Sequence, residues 1–414
     1  MTHNVERTPR FARVLAVLGA LFGIEASGCA TTVEGLSPRR EAGVARAPEV
    51  HSPSSLRFAV IADTGRDGPA QRQLAALMRE TCAGTCDFTL FMGDNLYYEG
   101  IRPEYADEDR ARLACLLGRY PEGPKYLVLG NHDYHPVLPS LERATAQLRF
   151  LEQPGDSFEG AFHFYRFDTP LAAFFGVDSN YLVRRVRPES EPKPLRRFAR
   201  AVAAAGTPWV IAFGHHPLRS NGLHGNAGDY REGDRYRFWS GDSYRSFMLR
   251  HVVPHADLYL SGHDHSMQFY PRIYGSRMAQ AIAGSGSKCN ARSSAPANDA
   301  MMERYGHGYA IVEATSEELA IRYHGADGRP FFEARRGRRS PWRATLPAAG
   351  AVDPGDHCAE DAARLAAADQ RADATPCPPA PGYVPDDDDE HHHDHHPHDA
   401  PPDTVQAQAQ PLLP

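Results

Sequence analysis

The chain has 414 residues, 42% of them hydrophobic and 23% charged, which is enough apolar material for one large core or two ordinary ones. Its formal charge of −7 is concentrated at one end: from Asp373 onward there are nine acids and neither lysine nor arginine, so the remainder is nearly neutral. A neutral body excludes the basic footprint that a nucleic-acid partner requires.

Residues 1–28 read as an export signal. Arg7, Arg10 and Arg13 precede the apolar stretch VLAVLGALFGI, which is too short for a permanent membrane span, and small residues follow in EASGC. The ASGC segment resembles a bacterial lipobox, although Ala26 stands where leucine is usual. That resemblance implies cleavage and lipidation at Cys29, hence a membrane anchor; ordinary cleavage nearby is the other reading. Both put the body outside the cytoplasm, as a periplasmic or cell-surface lipoprotein or as a secreted protein. Residues 29–55 are small, polar and proline-bearing, and are expected to be a tether.

From Leu56 the pattern changes. Short apolar runs recur, each cut off by Gly with Asp, Asn or His: LRFAVIA before DTG, FTLFM before GDN, YLVL before GNHD, WVIAF before GHHP and LYLS before GHDH. Such runs read as strands buried on both faces, and AQRQLAALMRETC between the first two has the period of a helix. The steps from Asp63 to Asp94 and on to Asn131 suit a strand, a crossover and a strand, which gives an α/β layering. In open α/β sheets ligands sit beyond the carboxyl ends of strands, and all five polar clusters fall there. After Glu313 the pattern fades, with a possible last edge in ELAIRYH. The body is therefore expected over 56–345, and 346–414 is expected to be a low-complexity tail.

Within that tail DDDDEHHHDHHPHD, residues 386–399, is too biased in composition to build a core. It could hold divalent metal for buffering or loading, or be a solvated tail with no role. Apart from Cys29 six cysteines remain, at 82, 86, 115, 289, 358 and 377, in a compartment that permits disulfides, and their pairing is not readable. Cys82 and Cys86 suit a disulfide or buried thiols better than a metal site, since no second pair accompanies them.

The ligand-type residues at the strand ends are Asp63, Asp94, Tyr97, Asn131, His132, His215, His263 and His265. Hard oxygen donors mixed with imidazoles and without thiols select iron, manganese or zinc. They exceed what one ion needs, so two ions sharing a carboxylate are expected. DTG, GDNxxY, GNHD, GHHP and GHDH, in that order, resemble the blocks of the calcineurin-like metallophosphoesterases. Tyr97, three residues after Asp94, makes the set similar to the purple acid phosphatases, and its spacing to the small tartrate-resistant type. The resemblance runs from about Leu56 to Glu313.

It implies a four-layer fold of two mixed β-sheets between helices, and two metal ions, Fe(III) with a divalent iron, zinc or manganese. Carried over by motif, Asp63, Asp94, Tyr97 and His265 would hold Fe(III), and Asp94, Asn131, His215 and His263 the divalent ion. The reaction implied is hydrolysis of a small phosphate monoester by a metal-bound hydroxide, with His132 and His224, the latter in SNGLHG, as candidate proton donors to the leaving group. His216 would contact substrate at best, and Tyr98 would pack. Thr64 stands where many relatives carry tryptophan, and 134–207 shows no usable likeness, so the substrate is less determined than the metals. A zinc or manganese phosphodiesterase or nucleotidase on the same fold, or a surface metal-binding protein acting through the His/Asp tail, are the competing readings.

Overall fold

The computed structural model of the chain describes residues 42–136, 139–152, 158–184, 193–230, 239–290, 298–346, 356–372 and 375–380. The apolar runs become strands of two eight-stranded mixed sheets. In the first, β2 (Leu56–Ile61), β3 (Phe88–Met92) and β4 (Lys125–Val128) run parallel, and β13 (Gly308–Ala314) adds antiparallel to β2. In the second, β7 (Ala172–Val177), β8 (Trp209–Gly214) and β9 (Leu258–Ser261) are the parallel centre.

Strand alternation divides the side chains between two cores. Phe58, Val60, Phe88, Leu90 and Met92 point inward to meet Phe174, Ile211, Phe213, Leu258 and Leu260 of the opposite sheet. Phe88 makes edge contacts with Phe174 and Phe167, whose rings stack on each other at 4.6 Å. The intervening residues Ala59, Ile61, Phe91 and Leu127 face outward onto helices α1 (Pro69–Cys82) and α2 (Ala106–Gly118). Helix α1 starts with proline, whose missing N–H costs nothing there, and buries Leu74, Ala75, Met78 and Cys82 on one face. Layers of helix and sheet thus repeat as expected of a fold with two mixed sheets between helices.

Three departures from the sequence reading have physical causes. Residues 42–55, expected as tether, are ordered: β1 (Ala42–Val44) pairs parallel with β6 (Phe164–Asp168), and the His51 backbone donates to Asp87 at 2.6 Å. The run ELAIRYH forms β14 (Glu318–Gly325) but is no edge, because β15 (Pro330–Gly337) and β16 (Arg343–Leu346) continue the sheet. There Arg322 pairs with Glu333 across strands and Arg335 pairs with it along β15, and that charge hides the apolar alternation.

Beyond the last strand, residues expected as tail include helix α7 (Cys358–Ala372), which lies on α1. Asp369 of α7 accepts Arg72 at 2.6 Å and Gln73 at 3.0 Å. Disulfides Cys115–Cys377 and Cys289–Cys358 fasten this segment at both ends, and Cys82–Cys86 closes the end of α1. The export signal, Cys29 and the Asp/His segment 386–399 lie outside the described residues. Among the described residues no helix is long and apolar enough to cross a membrane.

Candidate metal centre

The carboxyl ends of β2, β3 and β4 in one sheet and of β8 and β9 in the other open onto the same place. Asp63 follows β2, Asp94 follows β3, Asn131 follows β4, His215 follows β8, and His263 and His265 follow β9. Three of these residues have left-handed backbone, with φ of 58° at Asp63, 51° at Asp94 and 69° at His263. That conformation is costly for residues with a Cβ and gathers at functional sites, where the chain turns sharply to aim a side chain. The glycines of the motifs allow close approach. A Cβ on Gly93 would lie 2.7 Å from Nδ1 of His215, and one on Gly130 would collide with the Asp94 carboxylate.

The side chains form two adjoining groups. In the first, the Tyr97 hydroxyl lies 3.2 Å from Oδ1 of Asp63 and 3.2 Å from Nε2 of His265, while Nε2 of His265 is 3.5 Å from Oδ1 of Asp63. Asp63, Asp94 and His265 each present an atom within 4.8 Å of the others. In the second, Oδ1 of Asn131 lies 2.9 Å from Nε2 of His215 and 3.1 Å from Nδ1 of His263, and those two nitrogens are 3.1 Å apart. Oδ1 of Asp94 is 3.5 Å from Nε2 of His215, so Asp94 stands between the groups.

The imidazoles are oriented from behind. Nδ1 of His215 donates to the carbonyl of Met92 at 2.9 Å and Nδ1 of His265 to Oδ1 of Asn290 at 3.1 Å, which turns a lone pair of each Nε2 toward the carboxylates. The hydroxyl of Ser179, first residue of α4 (Ser179–Val183), accepts the backbone N–H groups of His215 and His216. Asp133 accepts from the backbone of Asn95, Leu96 and Gly130, clamping two strand-end loops together. Burial, with the Asp94 carboxylate nearby, pushes the Asp133 carboxyl up to about 7 against those backbone bonds.

A buried group of two carboxylates, a phenol, an amide oxygen and three imidazoles fits cations better than it fits itself. Burial and the Asp94 and Asp63 carboxylates push the Tyr97 phenol well above its usual 10, and burial drives His263 well below 6.5 with His224, His216, His215 and His265 adding to the effect. Phenol and carboxylates crowd negative charge on one side, and imidazole lone pairs converge on the other. Cations in both places would relieve both, and the oxygen and nitrogen donors without thiol are those of iron, zinc or manganese.

The remaining candidates fall at different distances. His132 is buried, its backbone N–H donates to Asp94 at 2.9 Å, and its Nδ1 donates to the Tyr98 carbonyl at 2.7 Å. Its Nε2 is 4.0 Å from Oδ2 of Asp94, and burial brings the imidazole down to about 3. His224 is only partly buried, with its ring stacked on His263 at 4.2 Å. His216, expected as a substrate contact at best, is buried with its Nδ1 2.8 Å from the Ser179 hydroxyl, so it supports the wall of the site. Ser179, Asp133 and Asn290 were not singled out in the sequence. Only Asp133, inside GNHD, had a motif to mark it.

The sequence model of the calcineurin-like phosphoesterases matches residues 56–267, the stretch that supplies every one of these strand ends. The chain belongs to that family. Purple acid phosphatase 4 of Arabidopsis thaliana is 25% identical over 319 residues, covering 71% of this chain and 87% of the relative. Tartrate-resistant acid phosphatase type 5 of Homo sapiens is 23% identical over 325 residues, 69% of this chain and 92% of its own. The solved purple acid phosphatase from yellow lupin (Lupinus luteus) seeds shares the fold, with a TM-score of 0.54 at 13% identity across 70% of this chain and 55% of that one. A calcineurin-like phosphoesterase with acid phosphatases among its relatives is a phosphoric ester hydrolase, and such relatives imply a centre of two metal ions.

Proposed function

We propose that the protein is an exported phosphatase that hydrolyses small phosphate monoesters with Fe(III) beside a divalent iron, zinc or manganese. The observation that carries this reading is the Tyr97 hydroxyl at 3.2 Å from both Asp63 and His265. A phenolate is a hard anionic donor suited to a trivalent ion. Asp63, Asp94, Tyr97 and His265 would hold that ion, and Asp94, Asn131, His215 and His263 the divalent one. When bound, the pair would lower the pKa of water and take up charge on the phosphoryl oxygens.

The chain's own residues do the rest. Met92 and Asn290 fix the donor tautomers, and the buried β2, β3 and β8 ends keep bulk water from the back of the site. His132 and His224 stand beside the two groups to deliver a proton to the departing alkoxide. For His132 the exchanging atom is Nε2, since Nδ1 is committed to Tyr98; Nε2 carries a lone pair in the neutral ring, so it would first take up a proton from the arriving ester or from water before passing it to the alkoxide. Export is supported by three disulfides, which persist in oxidising compartments; the same reading carries a lipid anchor at Cys29.

The test is a visible absorption spectrum with elemental analysis of protein purified without added metal. A broad purple or pink band with at least one iron per chain, lost in Tyr97→Phe while the fold persists, is expected. A colourless protein holding only zinc or manganese would move the assignment to a phosphodiesterase or nucleotidase.

A further inference from the structure

Lys288 occupies an unusual position. It follows β11 (Ala279–Ala283), half-buried, with its Nζ 5.2 Å from the ring centre of Tyr97 and 5.4 Å from that of Tyr98. Among the described residues no carboxylate pairs with this ammonium. The Tyr97 ring beneath it lies 4.4 Å from the ring of His132. So a cation with no carboxylate partner among the described residues stands on the side of the site where His132 would meet the leaving group.

The loop that carries it is held at nearly every residue. The N–H of Gly286 donates to the Ala62 carbonyl at 3.2 Å, and the Ser287 hydroxyl to the Asp63 carbonyl at 2.5 Å. Cys289 is bonded to Cys358 of α7, and the Asn290 backbone N–H donates to the His265 carbonyl at 3.0 Å. A lysine on a free loop would swing into solvent and contribute little, whereas this one is preorganised beside the aromatic pair. The two ring faces hold the ammonium without acting as hydrogen-bond acceptors for it, which leaves its N–H donors to meet an arriving anion.

We propose that Lys288 is a specificity-determining residue that binds an anionic group on the leaving-group side of the substrate, such as a second phosphate or a carboxylate. The inference rests on the phosphatase reading and names the substrate class within it. A charge-assisted contact made only by anionic leaving groups would favour them over neutral ones of the same size by about tenfold.

The test compares kcat/KM of the metal-loaded wild-type protein, Lys288→Gln and Lys288→Arg on 4-carboxyphenyl phosphate, its 4-carbamoyl analogue and pyrophosphate. Lys288→Gln is expected to lose about tenfold on the two anionic substrates and less than about twofold on the carbamoyl ester, with Lys288→Arg recovering most of the loss. Unchanged metal content and colour would show that the centre itself is intact. Equal losses on all three substrates, or no loss on any, would overturn the proposal. A wild-type protein inactive on every ester would instead count against the phosphatase reading, and Lys288 would fall with it.

Discussion

His265 reaches the centre through Nε2 only because Asn290 accepts its Nδ1–H. Asn290→Ala should therefore weaken cation binding at the Tyr97 side by about 10–100-fold, the usual cost of losing a ligand's orienting partner. Chelator competition followed by elemental analysis would check this, with His215 as the internal control, because its Nδ1 is held by the Met92 carbonyl and cannot be lost by mutation. His132 allows a different experiment. His132→Ala should slow alkyl phosphates by about 100-fold or more and barely change nitrophenyl phosphate, whose leaving group departs without a proton. Equal slowing of both would assign the proton to His224 or to water. The seven candidate donors, which the structure brings together, were legible in the sequence because each sits within a few residues of a strand end and a glycine, where local order fixes its place. Asn290 and Ser179 were not, since their importance arises from contacts with His265 and His215 far away in the chain.

Among the elements, the strands of the motifs announced themselves by unbroken apolar runs, whereas β15 and α7 did not. The β15 sequence PFFEARRG carries three charges in eight residues, and its order comes from pairing with β14 and β16. There burial alone would raise the Glu333 carboxyl, but hydrogen bonds from Arg335, Thr345 and Arg322 outweigh it and hold the group down at about 2. A carboxyl lowered on folding stabilises above its unfolded pKa, and this contribution is lost as pH falls from about 4.5 toward 2. Glu333→Gln should lower stability near pH 6 by about 1 kcal/mol and flatten the acid limb of the unfolding curve over that range. Chemical denaturation at a series of pH values would measure it; an unaltered acid limb would mean the network contributes no net stability. Helix α7 was hidden for another reason: its Ala-rich sequence buries little besides Leu365, and the disulfides and the Arg72–Asp369 contact hold it in place.

For the whole molecule, one site joins both sheets, so whatever occupies it should stabilise the complete sandwich. Removing cations with a chelator should lower the melting temperature by roughly 10 °C if binding at a thousandfold excess over Kd supplies about 4 kcal/mol. Differential scanning calorimetry with and without chelator tests this, and an unchanged transition would uncouple the centre from folding. The Cys115–Cys377 crosslink spans 262 residues and restricts the unfolded chain by about 5 kcal/mol in the loop-entropy account, so its removal by Cys115→Ala with Cys377→Ala should act additively with the chelator. The link between Cys289 and Cys358 also bears on the order of events at birth. A chain emerging from its amino end has made all seven donors by His265, yet the loop behind that histidine stays unfastened until residue 358 arrives. A ribosome-tethered chain halted before that point would hold all seven candidate donors on an unfinished mount, and maturation of the centre would wait on synthesis of the helix that contributes none of them.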